Sequence, residues 1–222
     1  MSTFKLNLPK HSGVIRYNLL KILYNNNNEM DKLAFNKECY NKSIKQRDTN
    51  AEIERFWGLI NFDKNKKIIE LTELGVRFYE SDTIFKKIDV IFDSIDSVTF
   101  GRNSNVLKSD SSVEAPVVFL KYILDFDHIN LHEFALLLYL MEGDKLSYEK
   151  ASKIVNNGEY NINYIPDNVR NKLLDTKIHL LLKDIEIVYQ HDKDFKLTDD
   201  EVKFVINCVL DKMDLDTQIV SK

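Results

Sequence analysis

The chain has 222 residues, of which 44% are hydrophobic and 30% charged, enough for one large domain or two small ones with real cores. A formal net charge of -4 argues against indiscriminate binding to polyanions, although phosphate contact needs only local positive charge. No stretch reaches the length of a membrane span, the segment from Met1 to Pro9 has no apolar h-region, and Cys39 and Cys208 fit no metal spacing. The expectation is a cytoplasmic protein with reduced cysteines.

From the N-terminus, Val14 to Tyr24 places Ile15, Leu19, Ile22 and Leu23 on one apolar side and predicts a first helix, ended by the run Asn25 to Asn28. Leu33 to Tyr40 predicts a second. Lys42 to Arg47 reads as a basic turn, and Thr49 or Asn50 is positioned to cap a third helix reaching about Phe56. Leu59 to Phe62 and Ile68 to Leu71 form a hairpin about the charged turn Asp63 to Lys67, and Thr72 caps a helix through Tyr79. A two-stranded hairpin is not stable alone. It must lay one face on the helices, with Trp57, Leu59, Ile69, Leu71 and Phe78 as the cement.

Ser81 to Phe100 has helical periodicity in Ile84, Ile88, Ile91, Phe92 and Ile95, with an acidic polar side; Gly101 to Glu114 is a polar, Ser- and Asn-containing loop. A second set of helices follows: Pro116 to Leu124 with proline near its first turn, His132 to Leu140, Ser147 to Val155, and one stretch from Asp167 to Leu182. Ile185 to Tyr189 and Phe195 to Leu197 make another hairpin, followed by a helix from Thr198 to Leu210.

The two closing segments share an outline. Arg55-Phe56-Trp57-Gly58-Leu59-Ile60-Asn61-Phe62, then Ile69 to Gly75, corresponds to Leu182-Lys183-Asp184-Ile185-Glu186-Ile187-Val188-Tyr189, then Phe195 to Glu201. Each reads as helix end, strand, polar turn, strand and Thr-capped helix, which is how a winged helix closes. The expected fold is therefore mainly α with small β-hairpins, as tandem winged-helix-like modules. Residues 1–80 form the first, 81–114 an acidic helix and polar linker, and 115–222 the second.

Two motifs carry a family resemblance. Trp57-Gly58-Leu59-Ile60 with Leu71-Thr72-Glu73-Leu74-Gly75 is one. The run from Pro116 to Leu124, with Leu131-His132-Glu133-Phe134-Ala135-Leu136, is the other. Together they resemble the DNA-recognition region of type IIS restriction endonucleases, which cut outside their site, and of related nicking endonucleases. The resemblance spans roughly residues 50–145. It implies winged-helix modules that read a target while a separate domain cuts. The chain departs from that family in having no nuclease core, which needs an Asp and a Glu-x-Lys on adjoining strands. Glu149 adjoins Lys150, and Glu201-Val202-Lys203 falls in a predicted helix.

Charge distribution selects the contact surface. Residues 1–80 carry 14 Lys/Arg against 10 Asp/Glu, and residues 81–222 carry 17 against 25. In the first module Lys42 and Lys45 suit phosphates, while Arg47, Asn50 and Arg55 are placed to meet base edges. Read without function, the same residues form a solvated helix face. Lys64, Lys66 and Lys67 at the wing tip suit backbone contact or simply keep a turn soluble. Arg102 lies in the polar loop, and Arg170, Lys172 and Lys177 are the second module's basic set. His128 and His132 share a helical spacing, but a predicted break near Asn130 separates them. No phosphate loop, nucleophile elbow, metal set or cofactor motif is present. The expected partner is double-stranded DNA, with a possible separate nuclease or other protein subunit. The competing expectation is a winged-helix protein-assembly subunit.

Overall fold

A computed structural model of the protein describes residues 16–44, 51–97 and 113–211. These fall into two compact units, 16–97 and 113–211.

In the first unit, α1 (Arg16–Tyr24) leads through a turn to β1 (Glu29–Asp31) and α2 (Lys32–Asn41). The short α3 (Glu52–Phe56) precedes β2 (Ile60–Asp63) and β3 (Ile68–Leu71), then α4 (Glu73–Glu80) and α5 (Ile84–Ser97). Asp31 ends β1 and caps α2, its carboxylate accepting from the Leu33 amide at 2.8 Å and the Ala34 amide at 3.3 Å. The sheet is antiparallel in the order β1-β3-β2, with Met30 and Phe62 both opposite Ile69. Leu19, Leu20, Leu23, Phe35, Trp57, Leu59, Ile69 and Phe78 have essentially no exposure and form the core. The segment α5 lies within this unit and packs on α4. The buried Ser94 hydroxyl donates to the Trp57 carbonyl at 2.8 Å.

The second unit repeats the frame with an insertion. Its elements are α6 (Ala115–Phe126), β4 (Ile129–Asn130), α7 (Leu131–Glu142), α8 (Tyr148–Asn156), a 3-10 turn at Ile162–Tyr164, α9 (Asp167–Leu174) and α10 (His179–Asp184). Then come β5 (Val188–His191), β6 (Asp194–Leu197) and α11 (Asp200–Leu210). The sheet order is β4-β6-β5, and Ile129 and Gln190 both oppose Phe195. Phe119 meets Phe134 edge-on at 5.0 Å and Phe195 at 5.7 Å at the centre of the core.

The duplication extends to individual hydrogen bonds. Helix α3 ends with the Gly58 amide donating to Arg55 and the Leu59 amide to Glu54; α10 ends with Glu186 donating to Lys183 and Ile187 to Leu182. Both are Schellman closures with a left-handed residue, Gly58 at φ 68° and Glu186 at φ 61°. The Thr72 amide then donates to Leu59 at 3.1 Å, and the Thr198 amide to Ile187 at 3.1 Å. Asn130 caps α7 in a full capping box with Glu133, as Asp31 caps α2. Aligning these bonds pairs Asp31 with Asn130, Lys32 with Leu131, Phe35 with Phe134, Arg55 with Lys183, and Phe62 with Gln190.

Several local expectations change. Each hairpin gains a third strand, β1 or β4, too short to show a period in sequence. The stretch from Asp167 to Leu182 is not one helix; it breaks between α9 and α10 around the buried Thr176. Thr198 does not cap α11. Asp199 does, accepting from the Val202 amide at 2.8 Å, while the Thr198 hydroxyl donates to the Glu186 carbonyl. Helix α3 begins after Ala51, which has φ 48° and makes no side-chain cap; Thr49 and Asn50 lie outside the described residues.

Candidate nucleic-acid interface

The β2–β3 hairpin carries a cluster of lysines on its turn. Lys64, Lys66 and Lys67 are all exposed on its turn. Asp63 shapes that turn by accepting from the Asn65 amide at 2.8 Å and the Lys66 amide at 3.0 Å. These bonds, the Lys66 amide foremost, hold its carboxyl below the usual range. Lys67 adopts φ 57°, and its carbonyl accepts from the Lys32 amide at 2.8 Å, which ties the hairpin turn to the start of α2.

Near the turn end of the same hairpin, at Phe62, two further cations meet one ring. The Arg55 guanidinium carbon lies 5.4 Å from the centre of Phe62. The Lys32 ammonium lies 5.5 Å from Phe62 and 5.3 Å from Phe35. All three distances are within cation–π range. Burial, with the Arg55 charge adding to it and Cys39 opposing, lowers the Lys32 ammonium to about 8. Burial also pushes the Cys39 thiol up to about 11. Phe62 is half-buried, whereas Phe56 and Trp57 are core residues.

Of the residues expected to contact DNA, the structure places Lys64, Lys66 and Lys67 on the hairpin turn and Arg55 against Phe62 of the same hairpin. Arg55 is a half-buried residue of α3, beside the buried Ile53, Glu54 and Phe56. Lys42 is exposed just past the end of α2. Lys45, Arg47, Asn50 and Arg102 lie outside the described residues. In the second unit Arg170 is engaged within its own segment, donating to Asn163 at 2.8 Å and Asp167 at 2.6 Å. Lys172 is exposed two residues further along α9, a spacing that points it to another side of the helix. Lys177 sits in the break before α10. The second turn is the two-residue Asp192–Lys193, with mixed charge.

Lys32 was absent from the sequence-derived set because nothing in its neighbourhood along the chain marks it. Its partners Phe62 and Arg55 arrive from β2 and α3. The one local signal is Asp31, a cap residue that places Lys32 at the first helical position.

Helix α2 also carries an exposed apolar pair: Leu33 is 76% and Tyr40 82% exposed, and their spacing of seven puts them on one side. Tyr160 and Tyr164 stack on each other at 4.2 Å, and the Tyr164 hydroxyl donates to Asp144 at 3.0 Å. Glu201 and Lys203 lie on α11, where Lys203 pairs with Asp127 at 3.3 Å. Among the described residues no three His, Cys, Asp or Glu side chains converge as metal ligands. No helix among them is long and apolar enough to cross a membrane. In comparisons with known proteins, no family model, no curated protein and no solved structure matched the chain.

Proposed function

We propose that the chain is a tandem winged-helix protein whose first unit binds double-stranded DNA in a sequence-dependent manner. The observation that carries this reading is the cationic hairpin. Three exposed lysines crown a β2–β3 wing whose Phe62 meets Arg55 and Lys32, on a helix–strand–helix–helix–hairpin frame. Wing lysines supply sequence-independent phosphate contacts. Base reading falls to the segment entering α3, which carries Arg47 and Asn50. The resemblance to type IIS recognition regions supports a place in a restriction or defence system in which a separate nuclease makes the cut. Charge reversal of Lys64, Lys66 and Lys67 tests the reading. Duplex affinity should fall steeply and its salt dependence flatten; unchanged binding would remove the wing from the interface.

A second reading has its own support. Leu33 and Tyr40 on the outer side of α2 suit a protein partner better than a phosphate backbone, and residues 81–222 carry an excess of acidic side chains. On this reading the chain assembles a complex, and Leu33→Ser with Tyr40→Ser would abolish partner capture while duplex binding persists.

A further inference from the structure

The two units build one frame but finish it differently where the hairpin meets the helix cap. In the first unit Asp31 caps α2, and the Phe62 ring of β2 lies against Lys32. In the second unit the matching residues are Asn130, Leu131 and Gln190. Beside them stands an open cleft of ≈ 250 Å³, lined also by His132, Lys193 and Phe195. Gln190 takes the place of the ring without filling this space. Its carboxamide is held along the hairpin, the oxygen accepting from Lys183 and the nitrogen donating to the Asp192 carbonyl, each at 3.0 Å.

The polar groups on the walls are of one kind. A helix cap needs only an oxygen, and that of Asn130 serves, accepting from the His132 and Glu133 amides at 3.0 Å each. Those helix amides are therefore already satisfied and take no part in the cleft. What Asn130 adds over Asp31 is an NH2 group, a donor that capping does not require. Among the described residues that nitrogen has no acceptor. The exposed His132 imidazole carries at least one N–H in either protonation state. Lys193 is exposed on the two-residue turn and has no ion pair among the described residues. The carboxylate of its neighbour Asp192 lies 3.5 Å from His191, and no carboxylate is among the described residues of the wall. Donors from a cap, a helix and a turn, with no acid between them, match a ligand that is anionic and only accepts. Leu131 and Phe195 make the remainder of the wall apolar.

We propose that this cleft binds a phosphate monoester, with the phosphate on Lys193, His132 and the Asn130 amide nitrogen and a small apolar body against Leu131. A monoester presents three terminal oxygens to the three donor groups. The volume lies below the roughly 300–1,000 Å³ of sites for drug-sized ligands, so the body is no larger than one ring or a short chain. The monoester belongs to a free small molecule or to the 5′ end of a nucleic-acid strand. The site goes beyond the DNA-binding reading and stands without it, because it lies in the unit that does not carry the wing lysines.

The test uses the full chain and phenyl phosphate, which joins the anion to a single ring. Resonances of Leu131, His132 and Lys193 are followed through the titration, with phenol as the uncharged control. Saturable shifts at all three with phenyl phosphate, and none with phenol, are expected. Asn130→Asp keeps the cap, as Asp31 does in the first unit, and turns the NH2 donor into a carboxylate. It should weaken phenyl phosphate about tenfold or more while the thermal midpoint holds. Lys193→Gln, on the exposed turn, should weaken it similarly and decides the matter if Asn130→Asp lowers the midpoint. The site is overturned by a wild-type chain without saturable shifts, by equal shifts with phenol, or by full affinity in Lys193→Gln or a stably folded Asn130→Asp. A single strand with a 5′-phosphate, set against the same strand with a 5′-hydroxyl, then separates the two sources. Displacement of phenyl phosphate by the phosphorylated strand alone assigns the site to strand ends, and displacement by neither assigns it to a free phosphoester. Displacement by both would show that the backbone diester is held and would overturn the monoester assignment.

Discussion

The Thr72 hydroxyl donates to the Gly58 carbonyl at 2.6 Å while its oxygen accepts from the Gly75 amide at 2.9 Å. One side chain therefore joins the end of α3, the start of α4 and the hairpin between them. Thr72→Val keeps the shape and removes both bonds. Losing a helix cap and a part-buried hydrogen bond should cost about 1–2 kcal/mol. Urea denaturation should show that loss for Thr72→Val and most of it recovered in Thr72→Ser. Equal loss in both variants would assign the effect to packing of the methyl group.

Gly75 faces the same junction. A Cβ there would lie 2.0 Å from the Leu59 carbonyl oxygen and 3.1 Å from a Leu71 methyl. The oxygen belongs to backbone already bonded to the Thr72 amide, so it cannot swing aside as a side chain would. Gly75→Ala should destabilise the first unit by about 1–3 kcal/mol, read as a lower thermal midpoint. A neutral outcome would show that α4 can slide away from the hairpin.

The paired closures of α3 and α10 predict a stabilising change. Gly58 takes φ 68° freely, whereas Glu186 holds φ 61° against its own Cβ. Glu186→Gly should stabilise the second unit by about 1 kcal/mol, the strain relieved less the entropy glycine adds to the unfolded chain. The check is chemical denaturation, and a loss of stability would mean that the Glu186 side chain contributes more than its backbone costs.

Lys32 gives the first unit a pH signature. Its ammonium is lowered from 10.5 to about 8. Between those values the unfolded chain binds the extra proton, so this contribution to stability rises with pH across the window and is lost as pH falls through about 8. Cys39 acts in the opposite sense, since burial raises its thiol from 9.0 to about 11. The folded chain keeps that proton longer, and stability falls between those values. Below about 9 the Lys32 effect stands alone. Thermal melts should show Lys32→Leu more stable than wild type near neutrality, with the gap narrowing as pH rises toward 9. A constant gap would place Lys32 in a more solvated setting than its contacts with Phe35 and Phe62 describe.

What could be read in the sequence was local. The Thr72 cap, the two hairpins, the proline start of α6 and the buried set around Trp57 follow from spacing and turn chemistry over a few residues. The third strands did not, because β1 has three residues and β4 two, too few to show alternation. Their caps were the available signal: Asp31 and Asn130 each end a strand and begin a helix, and Asn130 with Glu133 forms a capping box. The break at Thr176 was hidden by apolar residues on both sides, Leu173 and Ile178, which continue a helical pattern although the chain turns between them. The candidate site divided the same way. Lys64, Lys66 and Lys67 are adjacent in the chain and were visible. The contacts of Lys32 and Arg55 with Phe62 join α2, α3 and β2, and no short sequence window contains all three.

The most direct measurement is selection from a random-sequence duplex library at low and physiological salt, with the retained molecules sequenced. It would be run on the wild-type chain and on the Lys64, Lys66 and Lys67 charge-reversal variant. The account predicts enrichment of one short motif by the wild type at both salts, and loss of retention by the variant. No retention by the wild type at either salt would contradict it and leave protein assembly through α2 as the standing reading.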